Sequence, residues 1–141
     1  MDAQDMGNAL ERILVTEDEL ARRMAELAAE IDADYQGKEI LLVGVLKGAV
    51  MVVADLSRHL HTPLSMDWMA VSSYGAGTKS TGVVRILKDL DADVTGRDVL
   101  IVEDIIDSGL TLSWLRENLL ARGAASVEIA TALRKPEALK V

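Results

Sequence analysis

The sequence contains no cysteine and no phenylalanine, and only 3% of its residues are aromatic. Without cysteine, the chain has neither a disulfide framework nor a thiolate metal site. Half of the residues are nevertheless hydrophobic, so the core must be built from valine, isoleucine, leucine, methionine and alanine. This composition is typical of a buried parallel β-sheet.

Basic residues are also few: 15 lysines and arginines stand against 23 aspartates and glutamates, which gives a net charge of -8. The overall field therefore repels nucleic acid and anionic membrane surfaces, and an anionic ligand would have to be held by local groups. No apolar run reaches membrane-spanning length. Residues 1–8 lack the basic and apolar regions of a secretion signal. We expect a cytoplasmic protein that binds neither nucleic acid nor membrane.

A chain of 141 residues is long enough for one compact core and too short for two ordinary domains. We predict a single domain, with an N-terminal extension over residues 1–12 and a core over residues 13–135. Glycines and polar residues dominate the stretch 73–82, a composition that predicts a mobile loop.

Hydrophobic spacing predicts alternating helices and strands. Thr16 and Glu19 have the spacing of a capping box, and apolar residues then recur at helical intervals to about Asp32. The short apolar run over 39–45 is typical of a buried strand. Further predicted elements are a helix over 49–60, strands over 64–72, 83–88 and 98–102, a helix over 110–121 and a strand over 126–133.

This alternation predicts an α/β fold, in which a mainly parallel twisted sheet is flanked by helices. The strand pair between residues 64 and 88 is predicted as an antiparallel insertion. In open α/β sheets, ligands bind beyond the carboxyl ends of the strands, so the segments that follow the strands are the candidates for chemistry.

One such segment brings three carboxylates to the start of a helix. Glu103, Asp104 and Asp107 follow a buried-type strand, and Ser108, Gly109, Leu110 and Thr111 lead into the next helix. The first backbone amides of a helix attract phosphate, and a glycine there lets the backbone approach it closely. Adjacent carboxylates suit vicinal ribose hydroxyls or Mg²⁺, and a nearby aspartate can act as a general base.

This acidic segment has two alternative interpretations. Phosphoacceptor receiver domains also carry an acidic pair after a buried strand, but they carry it near their N-terminus, and too few residues follow Asp104 here to complete that fold. A solvated acidic loop without a ligand is the second alternative. The convergence of carboxylates, glycine and hydroxyls at a helix start favours a ligand site.

The string Val-Glu-Asp-Ile-Ile-Asp-Ser-Gly-Leu-Thr over 102–111 closely resembles the phosphoribosyl pyrophosphate signature of type I phosphoribosyltransferases. Three further strings resemble the hypoxanthine-guanine branch, in the same order: Val-Leu-Lys-Gly at 45–48, Ser-Ser-Tyr-Gly at 72–75 and Leu-Arg-Lys-Pro at 133–136. Together these strings span most of the chain.

The resemblance implies a role for each matching position. It implies that Glu103 and Asp104 bind the ribose hydroxyls directly or through Mg²⁺, that Asp107 assists proton transfer at purine N7, and that residues 107–111 hold the 5′-phosphate. Lys47 and Gly48 would belong to the pyrophosphate loop, where the peptide before the lysine can be cis. Lys135 would bind the 6-oxo group of the purine, and Ser73 and Tyr74 would lie on the mobile loop that closes over the reacting atoms.

The activity implied is Mg²⁺-dependent transfer of a phosphoribosyl group from phosphoribosyl pyrophosphate to hypoxanthine or guanine, by a homodimer or homotetramer. Family members continue past this region with a segment that completes the purine site, so we expect an intact phosphoribosyl pyrophosphate half-site in a domain that is incomplete at its C-terminus. The alternative function is a non-catalytic regulator that binds phosphoribosyl pyrophosphate or a nucleotide.

Overall fold

The structure is a computed structural model that describes residues 16–74, 83–106 and 109–134. Within these residues the chain forms three helices and five strands. In chain order they are α1 (Glu17–Asp34), β1 (Ile40–Val45), α2 (Val50–His59), β2 (Leu64–Tyr74), β3 (Val83–Lys88), β4 (Asp98–Ile106), α3 (Leu110–Ala121) and β5 (Ser126–Arg134).

Helix α1 begins where the capping pattern predicts. The Thr16 hydroxyl accepts a hydrogen bond from the amide of Glu19 at 3.1 Å, and three acidic residues in the first turn complement the positive end of the helix dipole. The helix continues to Asp34 and buries Met24, Ala28 and Ile31 against the sheet.

The five strands form one sheet in the order β3-β2-β1-β4-β5. Strand β1 lies parallel to both β2 and β4, β4 lies parallel to β5, and β2 and β3 are antiparallel. The predicted mainly parallel α/β fold is thus confirmed. Fewer strands are antiparallel than predicted. Strand β2 follows β1 through a helical crossover and joins the parallel sheet, so β3 is the one antiparallel strand of the five described.

Two strands are longer than predicted. Strand β4 continues past Val102 to Ile106, because β5 extends the ladder beside it, with Glu103 opposite Thr131. Strand β2 continues through Ser73 and Tyr74, which pair with β3. The predicted loop boundary at residue 73 was therefore wrong, and residues 75–82 lie outside the described part of the chain.

A hydrophobic layer covers each face of the sheet. One layer joins β1 and β4 to α1 and α2, and the other packs α3 against the opposite face. All six residues of β1 are buried, as expected for a strand with neighbours on both sides. Among the described helices, none has the length and apolarity needed to cross a membrane.

Candidate functional site

The segment after β1 forms a tight loop at the carboxyl edge of the sheet. The Leu46–Lys47 peptide bond is cis, as the resemblance implied for this position. The amide of Leu46 donates to the carbonyl of Met69 at 2.8 Å, and the amide of Val50 donates to the carbonyl of Lys47 at 3.2 Å. These bonds tie the loop to β2 and to the start of α2, and they leave the Lys47 side chain exposed.

The acidic pair lies near the end of β4. The Glu103 carboxylate accepts a hydrogen bond from the amide of Asp104 at 3.1 Å, and the Asp104 carboxylate accepts one from the amide of Ile105 at 2.8 Å. Both side chains are partly buried. Burial and the neighbouring Asp104 carboxyl raise the pKa of Glu103 to about 7, so this pair carries less than its full negative charge in the absence of a cation.

The loop contacts Asp104 of the acidic pair. A Cβ atom placed on Gly48 would lie 2.6 Å from Oδ2 and 3.0 Å from Cγ of Asp104. Strands β1 and β4 are parallel neighbours, with Gly44 opposite Val102, so the segments that follow them meet at the same edge. The structure thus brings together the residues predicted to hold the pyrophosphate and the ribose.

Helix α3 begins at this edge as well. Its N-cap Gly109 has a φ of 82°, a left-handed conformation that favours glycine. No acidic residue lies in the first turn of α3, in contrast to α1, so the positive end of its dipole is not offset within the helix. Leu110 and Thr111 occupy that first turn, while Asp107 and Ser108 lie outside the described residues.

Two other predicted segments approach the same edge. Met69 of β2 pairs with Val45 at the end of β1, so the later residues Ser73 and Tyr74 lie beyond that end. Strand β5 is parallel to β4 and ends at Arg134. Lys135, the next residue, lies outside the described part of the chain.

Two contacts were not predicted from the sequence. The Met69 carbonyl holds the loop, and within β1, outside the loop, the Trp68 ring lies against Gly44, with its Cε3 atom 2.6 Å from the position a Cβ on Gly44 would take. A glycine inside an otherwise aliphatic strand often marks such a close approach, so Gly44 could have predicted this contact from the sequence.

The opposite end of the sheet is poorly suited to an anionic substrate. Two cavities of about 630 and 510 Å³ open there, and both border Tyr35 at the C-terminal end of α1. Helix C-termini repel anions, and in both cavities the acidic side chains outnumber the one lysine of the lining, Lys38. Among the described residues, no group of three or more acidic, histidine or cysteine side chains could form a metal site by itself.

Comparison with known proteins gives consistent matches over most of the chain. The model of the phosphoribosyl transferase domain family matches residues 13–141. A hypoxanthine-guanine phosphoribosyltransferase of Mycobacterium tuberculosis is 52% identical over 136 residues, covering 92% of this chain and 67% of that protein. The enzyme of the same name from Bacillus subtilis is 51% identical over 135 residues, covering 96% of this chain and 75% of that protein.

A solved structure agrees with these sequence matches. The hypoxanthine phosphoribosyltransferase of Staphylococcus aureus superposes with a TM-score of 0.92 at 45% sequence identity, over 97% of this chain and 74% of that one.

Proposed function

Because the chain belongs to the phosphoribosyltransferase family, and within it to the hypoxanthine-guanine branch, we propose that it acts in purine salvage. The reaction joins the 5-phosphoribosyl group of phosphoribosyl pyrophosphate to N9 of hypoxanthine or guanine and yields IMP or GMP with pyrophosphate. The observation that carries the proposal is the contact between Asp104 and Gly48 at the carboxyl edge of the sheet, because the substrate needs its ribose and pyrophosphate sites side by side.

The backbone around Lys47 and Gly48 is suited to the pyrophosphate. The loop is pinned to Met69 and to α2, so its groups are held in place before the ligand arrives, which lowers the entropy cost of binding. The exposed Lys47 ammonium supplies a positive charge in an otherwise acidic protein. The 5′-phosphate would bind at the start of α3, over residues 107–111, where the helix dipole favours an anion.

The acidic pair fits Mg²⁺. This ion prefers oxygen ligands and is commonly held by one or two carboxylates together with substrate phosphates. The Asp104 carboxyl lies next to the loop assigned to pyrophosphate, and the Glu103 carboxyl lies beside that of Asp104. When bound, the ion would neutralise charge on the leaving pyrophosphate. The same carboxylates can accept hydrogen bonds from the ribose 2′- and 3′-hydroxyls.

The transfer breaks the bond between C1′ of the ribose and the pyrophosphate oxygen, and the pyrophosphate leaves with the electron pair. The lone pair of purine N9 forms the new bond to C1′, and the proton on N7 passes to Asp107, the proposed general base. Nearby carboxylates stabilise the positive charge that develops on the ribose. Ser73 and Tyr74 would help to exclude water, which would otherwise hydrolyse the activated sugar.

Lys135 is the proposed recognition residue for the base. Its ammonium can donate a hydrogen bond to a 6-oxo group but not to the 6-amino group of adenine, which accounts for a preference for hypoxanthine and guanine. A homodimer or homotetramer and a cytoplasmic location also belong to the proposal, and analytical ultracentrifugation and cell fractionation test them.

The proposed function is tested by incubating the protein with phosphoribosyl pyrophosphate, Mg²⁺ and either hypoxanthine, guanine or adenine. We expect nucleotide from the two oxopurines, with stoichiometric pyrophosphate, and far less from adenine. Binding of phosphoribosyl pyrophosphate without any nucleotide would instead support the regulator hypothesis and contradict the catalytic role.

A further inference from the structure

Gly48 is a glycine for a steric reason. The described glycines with positive φ are Gly37, Gly96, Gly109 and Gly123, so the backbone of Gly48 has a conformation that alanine also adopts. What an alanine would meet is the Asp104 carboxyl group, with Oδ2 at 2.6 Å, Cγ at 3.0 Å and Oδ1 at 3.2 Å from the added methyl carbon. Contacts below 3.0 Å force one of the two partners to move.

Asp104 is the partner that resists movement. Its Oδ1 atom accepts the hydrogen bond from the amide of Ile105 at 2.8 Å, and its backbone amide donates to Glu103. Strand β4 is hydrogen-bonded to β5 on both sides of this residue, where Glu103 faces Thr131 and Ile105 faces Leu133. A turn of the carboxyl away from Gly48 would break the bond to Ile105.

The loop is held less firmly on the side that faces Asp104. Among the described residues, the backbone hydrogen bonds of the loop join it to Met69 of β2 and to the start of α2, and on the β4 side Gly48 rests against the Asp104 carboxyl. A methyl group on Gly48 would therefore displace the loop away from β4.

We infer that Asp104 is a positioning residue for the pyrophosphate loop, in addition to any direct contact it makes with the ribose or a metal. The carboxyl group acts as a fixed surface against which the backbone of Gly48 rests, and this contact sets the distance between the pyrophosphate and ribose sites. The inference rests on the proposed function, since it assigns the loop to pyrophosphate.

The test is a double-mutant cycle of Gly48→Ala and Asp104→Ala. Inorganic pyrophosphate is titrated by NMR without added metal, so that loss of a metal ligand does not enter, and thermal unfolding is followed in parallel. We expect Gly48→Ala to weaken pyrophosphate binding about tenfold in the native background and less than about twofold in the Asp104→Ala background. The decrease in Tm caused by Gly48→Ala should likewise be smaller in the Asp104→Ala background than in the native background.

Gly44→Ala is the matched control. It also adds one methyl group, but against the Trp68 ring, with Cε3 at 2.6 Å, and against Val53 at 3.0 Å. This variant should lower Tm and leave pyrophosphate affinity within about twofold of native, because overpacking destabilises the fold generally. If Gly48 had only a structural role, Gly48→Ala would likewise lower Tm and leave pyrophosphate affinity unchanged.

Three outcomes would overturn the inference. The first is an equal loss of pyrophosphate affinity in both backgrounds, and the second is a Tm effect of Gly48→Ala with unchanged affinity. The third is that the native protein binds neither pyrophosphate nor phosphoribosyl pyrophosphate. This outcome would also contradict the proposed function, and it differs from the first two because binding is already absent in the native protein. If Gly48→Ala does not fold, recovery of folding by Asp104→Ala supports the steric contact, and no recovery contradicts it.

Discussion

The carboxylate of Asp67 accepts a hydrogen bond from the amide of Ala92 at 2.8 Å. The same oxygen accepts from the amide of Asp91 at 3.0 Å, and the other oxygen accepts from the amide of Trp68 at 2.8 Å. Asp67 is only 6% exposed, so one buried charge in β2 holds the chain that leads from β3 to β4.

Replacing Asp67 with alanine should therefore be costly. Hydrogen bonds to charged groups contribute about 1.5–3 kcal/mol, and a buried amide left without a partner costs about 1–3 kcal/mol. We expect Asp67→Ala to lower the free energy of unfolding by about 3 kcal/mol in urea denaturation. Asp91→Asn, at an exposed position nearby, should change it by less than about 0.5 kcal/mol. Equal effects of the two variants would show that the buried network is not important for stability.

The carboxylate of Asp32 should make stability depend on acid pH. Partial burial alone would raise its pKa, but hydrogen bonds from the Thr62 hydroxyl and from the amides of His61 and Thr62 outweigh burial and hold the pKa below its usual value of 3.8. Its stabilising contribution is thus fully present above that value and is lost as the pH falls through the folded-state pKa.

Asp32→Asn measures this contribution. We expect the variant to be less stable than the native protein near neutral pH and the difference to shrink below about pH 4 when urea unfolding is compared across pH. Thr62→Val removes the donor that lies 2.6 Å from the carboxylate and should reduce the same pH dependence in part. A difference that stays constant with pH would contradict this explanation.

The pKa of Glu103 predicts the opposite pH dependence. Its ordinary value is 4.5 and its folded-state value is about 7, so the native state favours the protonated carboxyl. This contribution to stability is fully present below the unfolded value and is lost as the pH rises through the folded value. In buffer with a metal chelator, Glu103→Gln should gain stability relative to the native protein between about pH 5 and about pH 8. The prediction fails if the native chain and the variant have parallel pH profiles.

Asp107 is the proposed general base, and Asp107→Asn should separate binding from chemistry. Loss of a general base typically lowers the rate by about 10² to 10⁴-fold, while the amide side chain keeps the shape of the carboxylate. We expect kcat for nucleotide formation to fall by this factor, with phosphoribosyl pyrophosphate affinity within about tenfold of native. A variant with unchanged kcat would rule out the proton-transfer role.

Much of the fold could be predicted because hydrophobic spacing reports burial directly. The helix after Thr16, the buried strand over 39–45 and the helix over 110–121 all appear close to their predicted bounds. The extensions of β2 and β4 could not be predicted, because Ser73, Glu103 and Asp104 are polar residues in strands that neighbouring strands stabilise through backbone pairing.

Part of the candidate site could also be predicted from the sequence, and part could not. Local composition identified the acidic pair, whereas the Lys47-Gly48 loop was identified through resemblance. The parallel sheet explains why the two segments meet. The contact between Asp104 and Gly48 depends on the register between β1 and β4, which no single segment encodes. The roles proposed for Asp107 and Ser108 rest on residue type, position before a helix and resemblance, and the role proposed for Lys135 rests on resemblance alone.

The most direct test of the phosphoribosyl pyrophosphate site is a calorimetric titration of that ligand in the presence of Mg²⁺, with the native protein and with a Glu103→Gln/Asp104→Asn variant. We expect saturable binding to one site per chain in the native protein and affinity at least about tenfold weaker in the variant, since charge-assisted bonds are lost. No binding by the native protein, or equal affinity in both, would contradict the assignment of this edge of the sheet to the substrate.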